Sequence, residues 1–200
     1  DLMDIAMDNA QSDSTAIKKY FLIKNNIEVL FEPFATCEDL VNIYQSKFEQ
    51  SPNDTTLLIK ITKILDKKQC TDKELFFAAT ENLHKIKPSA NSAYLMAIKY
   101  MKEEKWDIAK SYLEESIDLY KPDELNKKAR AYHLLGQIYL NEKNYSATRN
   151  MAQKIIEINP NNGEAYILIG DAYALSAAQC GDNELTKRTP YWAAVDKYIQ

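Results

Sequence analysis

The sequence predicts an all-α fold in which antiparallel helix pairs stack into an α-solenoid. Three observations carry the prediction. Apolar residues recur every three or four positions along most of the chain, the spacing of one helix face, and no clear strand pattern interrupts them. Prolines fall just past the ends of these periodic stretches, at Pro52, Pro88 and Pro160, where a helix can no longer continue. Finally, Gly136 and Gly170, two of only four glycines, stand at matching places in two strongly helical patterns. Glycine in a helix interior costs roughly 1 kcal/mol relative to alanine, so close packing must require it at both places.

Taken in order, residues 1–15 read as the end of a preceding helix, carrying Leu2, Ile5 and Met7, and a linker. The chain begins at Asp1 without a methionine and stops at Gln200 within another helical pattern, so it reads as a piece of a longer protein. Residues 16–88 form helix pairs without a clear repeat signature. The first pair covers Ala16 to Phe31 and Glu38 to Phe48, with Leu40, Tyr44 and Phe48 inward. Leu57, Leu58, Ile61, Ile64 and Leu65 mark the next helix, and Thr71 with Glu74 reads as a capping box opening its partner.

Residues 89–200 hold the repeats. Tyr132, Leu135, Gly136 and Tyr139 form one stripe, because residues three or four apart share a helix face. Tyr166, Ile169, Gly170 and Tyr173 repeat the stripe, each displaced from its counterpart by the same interval of thirty-four positions. The missing side chain at Gly136 lets the following helix, Tyr145 to Ile158, approach with Met151, Ile155 and Ile158 inward. An earlier copy precedes these at a longer interval: Ala97, Tyr100, Trp106, Ala109 and Leu113 match Gly136, Tyr139, Tyr145, Thr148 and Ala152. Its extra five residues fall around Lys121 to Lys128. In the last copy Ala194 and Tyr198 take the small and aromatic positions of the second helix. The step from Tyr173 to Ala194 is longer by twelve positions than the equivalent step from Tyr139 to Thr148, so twelve residues are inserted near 176–189. The insertion is either a tolerated surface loop or a lip that shapes a binding surface. Thr189 and Pro190 restart the helix as N-cap and first-turn proline.

A repeat interval of this length, with an aromatic, then Leu-Gly, then Tyr, resembles the tetratricopeptide repeat. The match is specific over roughly residues 90–176 and only architectural before that. The resemblance implies a right-handed superhelical solenoid of about five helix pairs. Its packing residues would be Ala97, Tyr100, Ala109, Tyr132, Leu135, Gly136, Tyr139, Tyr166, Ile169, Gly170, Tyr173 and Ala194. It also implies a concave face, lined by the first helix of each pair, on which such solenoids hold partners. Transferred residue by residue, that groove presents Tyr94, Ile98, Met101 and Lys102 from one pair. The next offers Arg130, His133, Gln137 and Asn141, and the last offers Glu164, Ile167 and Asp171. Lys110 and Lys154, on second helices, are expected as exposed charges on the convex side. Family members that grip acidic chaperone C-termini use Lys and Asn where Tyr94 and Ile98 stand here, which argues against that mode.

No residue pattern points to catalysis. His84 and His133 fall in different helix pairs and in no nucleophile or metal motif. His133 lies beside the packing stripe, on the inner surface or as an ordinary surface residue. No Gly-rich loop offers a phosphate cradle, and most of the tyrosines sit at packing positions and not on a stacking platform. Asn53-Asp54-Thr55 and Asn144-Tyr145-Ser146 match a glycosylation acceptor that arises often by chance. Cys37, Cys70 and Cys180 form no CxxC pair and have no histidine at ligand spacing, so no metal is expected. Cys37 and Cys70 are separated by close to one repeat. Adjacent helices pack about 8 to 10 Å apart, whereas a disulfide needs Cα atoms within about 7 Å, so free thiols are expected.

A net charge of −4 with scattered lysines argues against phosphate gripping, and so against a nucleic-acid partner. No apolar run approaches the about 20 residues of a spanning helix, so no membrane insertion of this segment is expected. The expected function is a non-catalytic scaffold holding a peptide or protein partner on its concave face, without cofactor. A helical accessory region of a larger enzyme or receptor, and a self-associating structural spacer, are the alternatives. Compartment, cytoplasmic or exported, and oligomeric state stay open.

Overall fold

The computed structural model describes residues 14–31, 34–179, 182–183 and 185–199, and every regular element among them is helical. The chain forms two compact units, one ending at Ala79 and one running from Thr80 to Gln200. The division falls within a helix, α4.

The first unit contains α1 (Ser14–Phe31), α2 (Cys37–Gln50), α3 (Thr55–Lys67) and the start of α4 (Glu74–Ile86). Thr36 opens α2 through a capping box: its hydroxyl accepts from the Asp39 amide and the Asp39 carboxylate accepts from its own. Asp54 caps α3 by accepting from the amides of Thr56 and Leu57. Both caps satisfy amide donors that have no partner within the helix. Leu40 and Tyr44 of α2 and Leu58, Ile61 and Leu65 of α3 are almost wholly buried, and the two helices pack together. The expected capping box at the next helix is absent. Helix α4 starts at Glu74 itself, so this glutamate is the first helical residue and cannot be the third residue counted from a Thr71 cap.

Cys37 and Cys70 are joined by a disulfide, with Cα atoms 5.6 Å apart. The expectation of free thiols assumed helix flanks at helix-packing distance. Cys37 is instead the first residue of α2, and Cys70 lies in the turn after α3. Helix ends and turns approach more closely than helix axes do. That turn is built by Gln69 at φ 60°, which directs the Cys70 amide to the carbonyl of Leu65. The same device ends two later helices at Glu104 and Lys143, with φ of 58° and 61°. None of the three is glycine, the usual residue for this conformation, so the sequence hides the recurrence.

The second unit continues α4 and adds α5 (Ala90–Lys102), α6 (Trp106–Leu119), α7 (Leu125–Asn141), α8 (Tyr145–Ile158), α9 (Gly163–Ser176) and α10 (Thr189–Ile199). A 3-10 turn at Pro122–Glu124 occupies the longer connection before α7. Successive helices from α5 onward pack on one another, and α7 also touches α9, the first helix of the next pair. Ala97, Ala109, Leu113, Ala131, Leu135 and Ile138 form one buried cluster, and Ala152, Ile155, Ala165, Leu168 and Ile169 a second. Tyr132 packs against both, while Ala194 of α10 is 2% exposed.

The two stripe glycines lie at close approaches. A Cβ on Gly136 would meet Met151 of α8 at 3.3 Å and Leu168 of α9 at 2.7 Å. One on Gly170 would run into the Tyr198 ring of α10. His84 is structural: Nδ1 lies 2.8 Å from Ser92 Oγ in the α5 capping box and Nε2 3.3 Å from Glu115 of α6. After α9 the chain makes a short 3-10 turn, Ala177–Gln179, and a turn at 185–188 held by the Asn183 side chain. Helix α10 begins at Thr189, but the Thr189 hydroxyl donates back to the Thr186 carbonyl and so turns away from a capping role. Cys180 and Gly181 lie outside the described residues.

Candidate functional site

A cleft of about 540 Å³ opens on the second unit, lined by residues of three successive first helices, α5, α7 and α9. Helix α5 contributes Tyr94, α7 contributes Asn126, Ala129, Arg130, His133 and Leu134, and α9 contributes Glu164. The end of α8 and the turn before α9 add Ile155, Asn159 and Asn162. Arg130 and His133 are one helical turn apart and therefore project from the same side of α7.

Two polar groups here have no hydrogen-bond or carboxylate partner among the described residues. Arg130 is exposed and pairs with no carboxylate among the described residues. His133 Nδ1 is buried without a hydrogen-bond partner, a costly arrangement unless a ligand supplies one. Asn162 caps α9 by accepting from the Ala165 amide at 3.0 Å, and Asn159 accepts from the Asn161 amide at 3.1 Å. With both side-chain carbonyls engaged, their NH2 groups remain available as donors in residues that line the cleft. Burial pushes the Tyr94 phenol above its ordinary pKa, with the Arg130 charge opposing. Burial also pushes neighbouring Tyr120 up to about 12, raised further by Tyr94 and Glu124 and again opposed by Arg130. Both phenols are therefore harder to ionise than an ordinary tyrosine, and the Arg130 charge opposes the shift in each. Such a surface can grip a chain rich in hydrogen-bond acceptors; no nucleophile with an adjacent base lies in it, and no metal-binding cluster occurs among the described residues.

Of the residues expected on the groove, Tyr94, Arg130, His133 and Glu164 are brought together in this cleft. The others do not line it. Met101 packs against the buried cluster, Ile98 is half-buried, and Lys102, Gln137, Asn141 and Ile167 are exposed without lining the cleft. Asp171 accepts a hydrogen bond from the Tyr198 hydroxyl at 2.8 Å, which turns it toward α10. Lys154 is exposed as expected, whereas Lys110 is half-buried and ion-paired. Lys110 sits between Asp107 at 3.0 Å and Glu142 at 2.7 Å, and Lys154 lies over the Tyr132 ring. Counting groove positions along the first helices from the glycine stripe misses Asn126, Asn159 and Asn162. The run Asn159-Pro160-Asn161-Asn162 is the available signal, since turn asparagines tie down their own carbonyls and leave donors outward.

No family model matches the sequence, and no curated protein matches it. Solved structures do. The chain is similar to MamA protein at a TM-score of 0.65 and 18% identity, covering 89% of this chain and 87% of that one. It is similar to YrrB, described as a TPR protein with an unusual peptide-binding site, at a TM-score of 0.60 and 14% identity, covering 100% and 91%. It is also similar to BtubC from P. vanneervenii, with a TM-score of 0.58 and 15% identity over 98% and 85%. At these identities the likeness is one of fold: the chain has the helix-pair fold of tetratricopeptide-repeat proteins. No described helix is long and apolar enough to cross a membrane.

Proposed function

We propose that this chain is a non-catalytic scaffold that holds a peptide segment of a partner protein against the face formed by α5, α7 and α9. The observation that carries the reading is the set of unmatched polar groups converging on one cleft: the Arg130 guanidinium, the buried His133 Nδ1 and the Asn159 and Asn162 donors. An unsatisfied buried atom such as His133 Nδ1 is expensive in a free protein and becomes a favourable contact when a partner completes it. YrrB, whose fold this chain shares, is described as having an unusual peptide-binding site, which supports a peptide as the occupant here. Tyr94 supplies a rigid aromatic wall and Arg130 a charged anchor, the two residue types that most often dominate interface energy.

The test begins with partners captured by this chain and measured by titration calorimetry. Tyr94→Ala and Arg130→Ala should each weaken a genuine partner by about 2 kcal/mol, roughly thirtyfold, without unfolding the unit. Gln153→Ala, on an exposed part of α8 away from the cleft, should leave affinity unchanged. Loss of binding in the Gln153 variant with full binding in the other two would move the contact to the outer helices and end this reading.

A further inference from the structure

The disulfide of the first unit has no counterpart in the repeat pattern, and its position says what it does. Cys37 begins α2 and Cys70 follows α3, so the bond ties the start of one helix to the end of the next. Two weaker ties span the same junction. The Lys68 ammonium donates to the Ala35 carbonyl at 3.3 Å, and Lys73 pairs with Glu38 at 2.8 Å. The Glu38 side chain is 72% exposed, and exposed ion pairs contribute little. None of the four glycines lies before residue 80, so this unit lacks the glycine-stripe contact that draws helices together after it. A unit of under eighty residues buries a small core and commonly needs a covalent staple. Cys70 is fully buried, which shields the bond from casual exchange.

We infer that the Cys37–Cys70 bond is a redox-dependent staple that holds the unit ending at Ala79 in its native form, and that the chain therefore works in an oxidising compartment. Closing the bond removes one proton and one electron from each thiol; a disulfide-exchange protein of that compartment accepts them and is left as a dithiol. A phosphine reductant reverses the step, with the phosphine oxidised to its oxide. In a thiol-reducing cytosol the staple would open, and the first unit would lose the link that fixes α2 against the α3 turn. The second unit contains neither cysteine and should not respond.

The full chain carries its own reporters. Trp106 and Trp192, the only tryptophans, both lie in the second unit, so their fluorescence follows that unit while far-ultraviolet dichroism follows both. Protein purified without reductant, unfolded and alkylated, should show one modified cysteine, Cys180, and three after phosphine treatment. Reduction should lower the urea midpoint read by dichroism by more than about 1 M and speed hydrogen exchange in α2 and α3, leaving the tryptophan midpoint in place. The double variant Cys37→Ser with Cys70→Ser should match the reduced protein and ignore phosphine. Alkylation of all three cysteines without reductant, or identical dichroism midpoints with and without it, would overturn the inference.

Discussion

A Cβ placed on Gly136 of α7 would stand 2.7 Å from Cδ2 of Leu168 in α9, closer than carbon atoms approach in real side chains. The same atom would press on Met151 of α8. Gly136 is thus the point at which a first helix meets both its own partner and the next first helix. Leu168 is 3% exposed and has little room to turn away.

Gly136→Ala should therefore destabilise the second unit by about 1 to 3 kcal/mol from overpacking, less roughly 1 kcal/mol recovered in helix propensity. Gly163→Ala, where a Cβ meets nothing within 4 Å, should be neutral or stabilising. Gly170→Ala should fall between them, because the crowded neighbour is the ring of Tyr198, which is 47% exposed and can swing outward at the loss of its bond to Asp171. Urea midpoints rank the three variants. A Gly136 variant as stable as the Gly163 variant would show that the close approach is not there.

Lys143→Gly should stabilise the protein. Lys143 sits at φ 61° just after α7, a conformation that strains a residue with a Cβ by roughly 1 to 2 kcal/mol. Its backbone amide donates to Leu140 and that of Asn144 to Tyr139, bonds that glycine keeps. The flexibility glycine gives the unfolded chain offsets part of the gain, leaving a net of up to about 1 kcal/mol. A thermal scan showing no rise, or a fall, contradicts the strain argument.

Alkaline titration should show Tyr120 ionising late, as Tyr198 also should. The Tyr120 phenol is raised from the ordinary tyrosine value to about 12, chiefly by burial. A raised folded-state pKa means that the stability it supplies is fully present below about pH 10, the unfolded value, and is lost as pH climbs toward 12. Across that window the loss amounts to roughly 2 to 3 kcal/mol. Tyr120→Phe cannot ionise, so its urea midpoint should decline less than that of the parent between pH 9 and pH 11.5. Parallel decline of the two proteins would sink the assignment.

The part of the fold legible in the chain alone is the part written in local periodicity. Apolar spacing located the helices, and the paired frames around Gly136 and Gly170 located two close approaches, because a residue that costs stability in a helix interior is retained where space is short. Proximity between segments distant in sequence was decided by tertiary structure. Cys37 and Cys70 could be placed one repeat apart but not at touching helix ends, since the Gln69 turn that delivers Cys70 to Cys37 carries no glycine to announce it. Asp171 shares a helix with Glu164, yet it faces Tyr198, which belongs to a different helix. The cleft itself depends on a turn, where Asn159 and Asn162 spend their side-chain carbonyls on nearby backbone amides and line the same cleft as Arg130 and His133. Periodicity reports the side of a helix on which a residue sits; only packing decides which neighbour stands there.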